Sequence, residues 1–354
     1  MTTDLILLAL FEEEERRIRS KVIRPHCADV FSLPENEFIK LFRLNKHVAA
    51  ELIEKLRPAL QPRTYRRNAF SVETKVFTAL RFFGSGSYQS SISNDIHISM
   101  AQQSASNCIR QVADAINEIM FQEYIYFPSS PQELAQIKLD FYQYCQLPGV
   151  IGAIDCTHVA IIAPPDDDHH MERNFVNRKN FHSINVQIVS DNNLKILNIN
   201  AKFPGSTHDA FIWRASNLKT LLSQITFKDC WLLGDSGYPL QFNMLTPFDA
   251  PSTSAQRRYN NAHTRGRCVI ERLNGVLKSR FRCLRKHRTL SYMPRSAARI
   301  INACAVLHNM CIEEDLFFED DLDDEDDLAF DTGLSTTTSH TSATLRDRIA
   351  ANFA

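Results

Sequence analysis

Four carboxylates stand at positions where an acid is costly or out of character. Asp155 lies inside an apolar run, Ile151-Gly-Ala-Ile-Asp-Cys-Thr-His158. Asp209 follows Gly205-Ser-Thr-His208 at the head of a helical stretch. Asp235 ends the short segment Leu232-Leu-Gly-Asp235. Glu271 is the lone acid between Arg257 and Arg299, among 13 Lys and Arg. A bare carboxylate in an apolar strand is unfavourable without a partner. Two of them about 4 Å apart repel by roughly 4 kcal/mol at an effective dielectric of 20. If the four converge they need a cation, and oxygen-only ligands select Mg²⁺ or Mn²⁺ over zinc.

Glu271 falls off the apolar stripe of its helix, and Lys278 and Arg282, at +7 and +11, share its face. That places a carboxylate at a metal and two cations along a phosphate backbone. Two other clusters are weaker. The 166–170 run, Asp-Asp-Asp-His-His, follows two prolines and reads as a solvated loop. Cys304-x-x-x-His308-x-x-Cys311 has half the ligands of a zinc site and no second pair, so a buried helix is the better reading.

The elements that must position these acids follow from periodicity. Helices are expected over 3–24 and 34–60, the second with Leu52, Ile53, Leu56 and Leu60 on one face and a break at Pro58 and Pro62. Ser71 caps a helix over 72–83, and Gly84-Ser85-Gly86 is a turn. A short helix over 89–96 precedes a longer one capped by Ser99, with Ala105, Ile109, Val112, Ile116 and Ile119 as its apolar stripe. Short helix, turn and capped longer helix make a helix-turn-helix outline over 72–120. The opposite face carries Gln103, Asn107 and Arg110, types that pair with adenine and guanine edges. A plain helical bundle with a polar outer face is the alternative.

A linker helix over 131–144 follows, and then the texture changes. Strands are expected over 150–163, 184–189 and 194–203, the last two joined at Asp191-Asn-Asn193. A helix over 209–222, a strand over 231–233 and helices over 265–284 and 296–311 complete an α/β region.

Composition narrows the function. Only 10 Gly, with no G-x-x-x-x-G-K-[ST] and no G-x-G-x-x-G, exclude P-loop and dinucleotide-binding chemistry. No apolar run is long enough to span a membrane, and the run over 5–11 is followed by four acids rather than a cleavage site. Nine Cys without a C-x-x-C pair fit a reducing compartment. The net charge of −1 hides a split. Residues 313–354 hold 13 acids and 2 bases, leaving a net +10 on the rest. Eleven of the fifteen positions over 313–327 are Asp or Glu, a run expected to stay disordered, either as a solubilising tail or as a competitor for the basic surface. A basic surface as dense as 257–299 meets phosphate.

At these residues the chain resembles a known family. Gly152-Ala-Ile-Asp-Cys-Thr-His158, Ser-x-His-Asp209, Leu-Leu-Gly-Asp235-x-Gly-Tyr-Pro, the Glu271-Arg-x-x-Gly-x-Leu-Lys-x-Arg-Phe helix and Leu307-His-Asn are similar to the DDE transposases of the PIF/Harbinger superfamily and the Harbinger transposase-derived nucleases of animals. Thirty-five residues separate Asp235 from Glu271, an interval many DDE enzymes use. The motifs cover about 150–312, and the upstream region matches in layout more than in sequence. The resemblance implies an RNase H-like DDE nuclease domain over 150–312, with Asp155, Asp235 and Glu271 as catalytic acids and Asp209 as a fourth acid that either ligates metal or only orients the site.

The organisation is then a helical region over 1–127, a linker helix over 128–149, the nuclease domain and an acidic tail over 313–354. The chemistry is phosphodiester cleavage with two divalent ions, Mg²⁺ or Mn²⁺, about 3.5–4 Å apart. His158 and His208 flank the acids, and a hydrogen-bonded structural role suits them better than phosphate positioning. DNA is the implied partner, with a Myb-like DNA-binding accessory protein that aids nuclear import, and self-association into a homo-oligomer stays open. Nuclear residence, and cytoplasmic as well, is implied in the same way. The rival reading is a captured transposase that binds DNA without cutting it. The retained acids weigh against that rival. A general RNase H-like nuclease acting on RNA is the third reading, against which the helix-turn-helix argues.

Overall fold

The computed structural model describes residues 30–61, 69–86, 100–166, 171–224, 227–316 and 340–353. The helices expected over 3–24 and 89–96, the Ser99 cap and most of the 166–170 run lie outside them, as do 317–339.

The 34–60 stretch forms two helices, α1 (Glu35–Phe42) and α2 (Lys46–Leu60). Arg43 adopts a left-handed conformation between them, and Asn45 then caps α2 by accepting the Val48 N–H at 2.7 Å. Pro58 sits in the last turn of α2 instead of ending it. α3 (Val72–Ser85) starts at its Ser71 cap as expected but runs through Gly84 and Ser85, and Gly86 (φ +61°) ends it. α4 (Gln102–Ile119) begins at Ala101 with no side-chain cap. Its stripe is buried at Ala105, Ile109, Val112 and Ile116, but Ile119 is 42% exposed. A short α5 (Phe121–Tyr124) and α6 (Pro131–Cys145), opened by a Ser130–Glu133 capping box, lead into the sheet.

The sheet has five strands: β1 (Val150–Ala160), β2 (Ser183–Ser190), β3 (Ile196–Pro204), β4 (Trp231–Leu233) and β5 (Met244–Leu245). Their order is β3-β2-β1-β4-β5. β1 pairs antiparallel with β2, and β2 with β3; β1 pairs parallel with β4, and β4 with β5. The first two hairpin strands were legible from alternation. The two-residue β5 was not, because so short a pairing has no period to read.

The 209–222 helix is broken at Ala215 and Ser216 into α7 (Asp209–Arg214) and α8 (Asn217–Leu222), with Ser216 capping the second. α9 (Ser254–Arg280) starts a full eleven residues before the expected 265 and ends before Phe281, which is non-helical. Arg282 therefore belongs to a 3-10 turn (Arg282–Leu284) and not to the Glu271 helix. Its expected place at +11 on that face is corrected accordingly. α10 (Pro294–Glu313) matches the last expected helix with two residues added at each end.

The helical region and the α/β region share one apolar core, into which Leu52, Phe77, Ile109, Ile154, Leu233, Ile270 and Val306 all bury. α4 packs on α10. Asn117 Nδ2 donates to the Arg299 carbonyl at 2.8 Å, and Arg299 pairs with Asp114 at 2.8 Å. Exposed pairs of that kind contribute at most about 1 kcal/mol, so the apolar contact dominates.

The tail over 313–354 is expected to be disordered, but its described residues 340–353 include a helix. α11 (His340–Ala351) packs against α9, burying Ile349 and Ala350. Arg346 lies 4.0 Å over the Phe248 ring and donates to the Pro247 carbonyl at 2.8 Å. The physical reason is that the acidic content ends at Asp331, apart from Asp347, and leaves an apolar edge able to find a partner.

Candidate active site

β1 and β4 set the first two acids. Ala153 and Leu233 are the last registered pair of that parallel ladder. Asp155 and Asp235 each lie two residues beyond it, on neighbouring chains that a ladder spaces at about 4.8 Å. Asp155 is enclosed, with 19% of its side chain exposed. Burial pushes its carboxyl up to about 7; Arg267 opposes this, and the negative charges of Asp235 and Asp209 add to it. Asp235 Oδ1 accepts the Gly237 N–H at 3.0 Å, which fixes its turn.

Asp209 opens α7, and its Oδ1 accepts Asn185 Nδ2 at 2.9 Å. Asn185 faces His158 across the β1–β2 ladder, so Asp209 is tied to β2, the antiparallel neighbour of the strand that bears Asp155. Its charge registers on Asp155, so all three aspartates belong to one electrostatic site.

Glu271 arrives on α9. Gly266 permits the approach, since a Cβ there would lie 2.4 Å from Leu233 Cδ1. The next residue, Arg267, lies one turn before Glu271; its Nη1 is 3.3 Å from Glu271 Oε1, and its Nη2 is 3.4 Å from Asp155 Oδ1. Asn274 donates to Asp155 Oδ2 at 3.2 Å. Arg267, Glu271, Asn274 and Lys278 thus recur at helical spacing along one face. Burial works against the Arg267 charge, but Asp155, Asp235 and Glu271 outweigh it and hold its pKa above the usual value.

A divalent ion suits this donor set in kind. The acids are all-oxygen ligands, surplus negative charge surrounds Asp155, and Asn274 Oδ1 is buried without a hydrogen-bond partner. Among the described residues, however, no three His, Cys, Asp or Glu side chains already form a ready-made metal cluster. Arg267 stands between two of the acids.

The remaining expected residues separate into groups. His158 Nδ1 lies 3.1 Å from Ser183 Oγ, and burial, aided by Lys278, Arg178 and Lys179 against Asp209, depresses its pKa to about 4. His208 is exposed and accepts helix N–H groups through its backbone carbonyl. Lys278 is half-buried, and its charge reaches His158. Gln103 and Arg110 are exposed on α4, and Arg110 donates to Asn107 Oδ1 at 3.4 Å. Asn107 lines a cavity of about 250 Å³ with Lys75, Ser104 and Gln111, none of them an acid-site residue.

The basic segment is not one phosphate-binding belt. Arg280 is fully buried and donates to the carbonyls of His308 and Leu316; Arg285 donates to the Lys278 carbonyl; Arg299 pairs with Asp114. The Cys304–His308–Cys311 cluster is a buried helix face, as the missing ligand pair indicated. His308 Nε2 lies 2.8 Å from the Leu194 carbonyl, and its pKa falls to about 3 through burial beside Arg280. Asn309 is bonded to Tyr124 and to both backbone groups of Ile196.

Sequence reasoning missed Arg267, Asn274 and Asn185. The first two were signalled by helical spacing around Glu271. Asn185 carried no signal, since only the β1–β2 register brings it to Asp209.

A sequence model described as a DDE superfamily endonuclease matches residues 154–309. The rat protein named "Putative nuclease HARBI1" is 40% identical over 266 residues, 75% of this chain and 74% of that protein. The human protein of the same name is 39% identical over the same shares. The Arabidopsis thaliana "Protein ALP1-like" is 29% identical over 70% of this chain and 62% of its own length. No solved structure matches the chain.

Proposed function

The chain belongs to the Harbinger transposase-derived DDE nuclease family, and from that premise we propose a divalent-metal-dependent DNA endonuclease whose working acids are Asp155, Asp235 and Glu271. The observation that carries the reading is the placement of Asp155 and Asp235 side by side beyond the Ala153–Leu233 pair, with Glu271 linked to Asp155 through Arg267. The sheet order, three antiparallel strands followed by two parallel ones, supports an RNase H-like reading of the domain.

Asp155, Asp235 and Glu271 would hold Mg²⁺ or Mn²⁺, and Asp209, tethered by Asn185, would orient the site. The bound ions would supply water activation and charge stabilisation at the leaving oxygen. The chain's own contribution is placement. Gly266 seats α9 on β4, Asn274 holds the Asp155 carboxylate in one orientation, and Lys278 offers a cation to the DNA backbone. Arg282 offers a second from its turn. No nucleophilic side chain is required. Gln103, Asn107 and Arg110 would read base edges from α4, the second helix of a helix-turn-helix. A nuclear location and a Myb-like accessory protein complete the reading.

The test is cleavage of supercoiled plasmid by the full chain. Nicking is expected with Mg²⁺ or Mn²⁺, and not with Ca²⁺, whose looser shell fits in-line displacement poorly. Asp155→Asn with Asp235→Asn should abolish cleavage and preserve DNA binding. Undiminished cleavage by that double variant would remove the assignment.

A further inference from the structure

The metal reading leaves a positive charge unexplained. Arg267 is a cation fixed inside the site intended for another cation, and 16% of its side chain is exposed. It touches two acids with two different nitrogens, Nη2 to Asp155 and Nη1 to Glu271. That is the bridging pattern of a metal ion, not the parallel fork on one carboxylate that makes a strong arginine pair. Both contacts, 3.4 and 3.3 Å, are longer than the 2.7–2.9 Å or so of tight charge-assisted bonds. Nε is buried with no hydrogen-bond partner, so nothing locks the base of the fork in place.

Resting on the metal reading above, we infer that Arg267 is a placeholder cation. It bridges Asp155 and Glu271 before metal arrives and releases at least one of them when a divalent ion binds. It is a positioning residue with two effects. It keeps the acids from repelling one another in the metal-free chain, which no solvent cation at an enclosed site does as well. It also competes with the ion, because a guanidinium and a divalent cation repel and cannot bridge the same two carboxylates at once. This accounts for the lack of a ready-made metal cluster among the described residues although three acids, Asp155, Asp235 and Glu271, act on the Arg267 charge.

The sign of one substitution decides the matter. If Arg267 only scaffolds the acids, Arg267→Gln weakens metal binding. If it is a placeholder, the same change removes the competitor and tightens it. Mn²⁺ is titrated calorimetrically into the full chain, parent and variants at the same pH. We expect Arg267→Gln to bind about tenfold more tightly than the parent. Its metal-free melting temperature should fall, and Mn²⁺ should raise that temperature by more than it does in the parent. Arg267→Lys keeps the charge but lacks a planar fork able to span two acids. It should shift in the same direction by less, and it keeps the test intact if the glutamine variant does not fold. Unchanged or weaker Mn²⁺ binding in both variants overturns the placeholder role and leaves the metal reading standing. Absence of any uptake that Asp155→Asn abolishes, in parent and variants alike, overturns both.

Discussion

Asp155 and Asp235 each stand two residues beyond Ala153 and Leu233, the last registered pair of a parallel ladder. Neither acid owes its neighbour to sequence proximity; the crossover from β3 through α7 and α8 to β4 brings them side by side. Asp155 is enclosed, and burial first of all raises its pKa to about 7, with Arg267 opposing the shift and the charges of Asp235 and Asp209 adding to it.

That burial predicts a stability profile. The folded pKa of Asp155, about 7, exceeds an unfolded value of about 3.9. The folded chain therefore holds this proton more tightly. Its contribution to stability is full below about pH 4 and is lost as pH rises to about 7. Asp155→Asn should make the metal-free protein more stable than the parent above pH 7, by as much as about 4 kcal/mol, with the gain vanishing near pH 4. Urea titrations at several pH values measure the difference between the two proteins, which cancels the opposing contributions of His158 and His308. A pH-independent difference would mean the carboxyl is not perturbed.

Leu307-His-Asn should prove structural. Asn309 satisfies three backbone groups from a fully buried position, and His308 joins Arg280 to Leu194. Asn309→Ala and His308→Ala should each cost about 2–4 kcal/mol by leaving buried polar groups unpaired. Zinc content of the purified protein should be negligible. Stoichiometric zinc lost on His308→Ala would restore the metal alternative for Cys304 and Cys311.

The α4 face predicts a specificity change. Arg110→Ala or Asn107→Ala should relax sequence preference at the bases contacted by about 1–3 kcal/mol and leave non-specific affinity nearly intact. Binding selections on random duplexes report both. A uniform loss over all sequences would make these residues phosphate contacts. The Arg110–Asn107 bond adds that either change should affect the partner's contact too.

The acidic run calls for charge substitution, not truncation. A cut after Ile312 would also remove α11 and expose its partners on α9. Replacing the Asp and Glu residues over 319–327 by Asn and Gln retains that helix. If the run competes with DNA, the substituted chain should bind non-specific duplex more tightly at low salt, with the gain shrinking as salt rises. Superimposable salt titrations would remove any autoinhibitory role.

Residue type and local pattern alone single out the four acids and most of the elements that carry them. An Asp inside an apolar run and a lone Glu in a basic helix are conspicuous because burial and charge make them costly, and cost is readable residue by residue. A continuous apolar run located β1, alternation located β2 and β3, and 3.6-residue spacing located α9 and α10. Only the tertiary structure decided what the other cations do. Arg267, Arg280 and Arg299 look alike in a basic segment, yet one bridges Asp155 and Glu271, one is buried against carbonyls and one pairs with α4. It also decided that α11 docks, that β5 exists and that Asn185 meets Asp209. The physical reason is the same in each case. Local pattern reports a residue's own solvation and backbone preference, whereas partner choice depends on register, crossover and close approach between segments far apart in the chain.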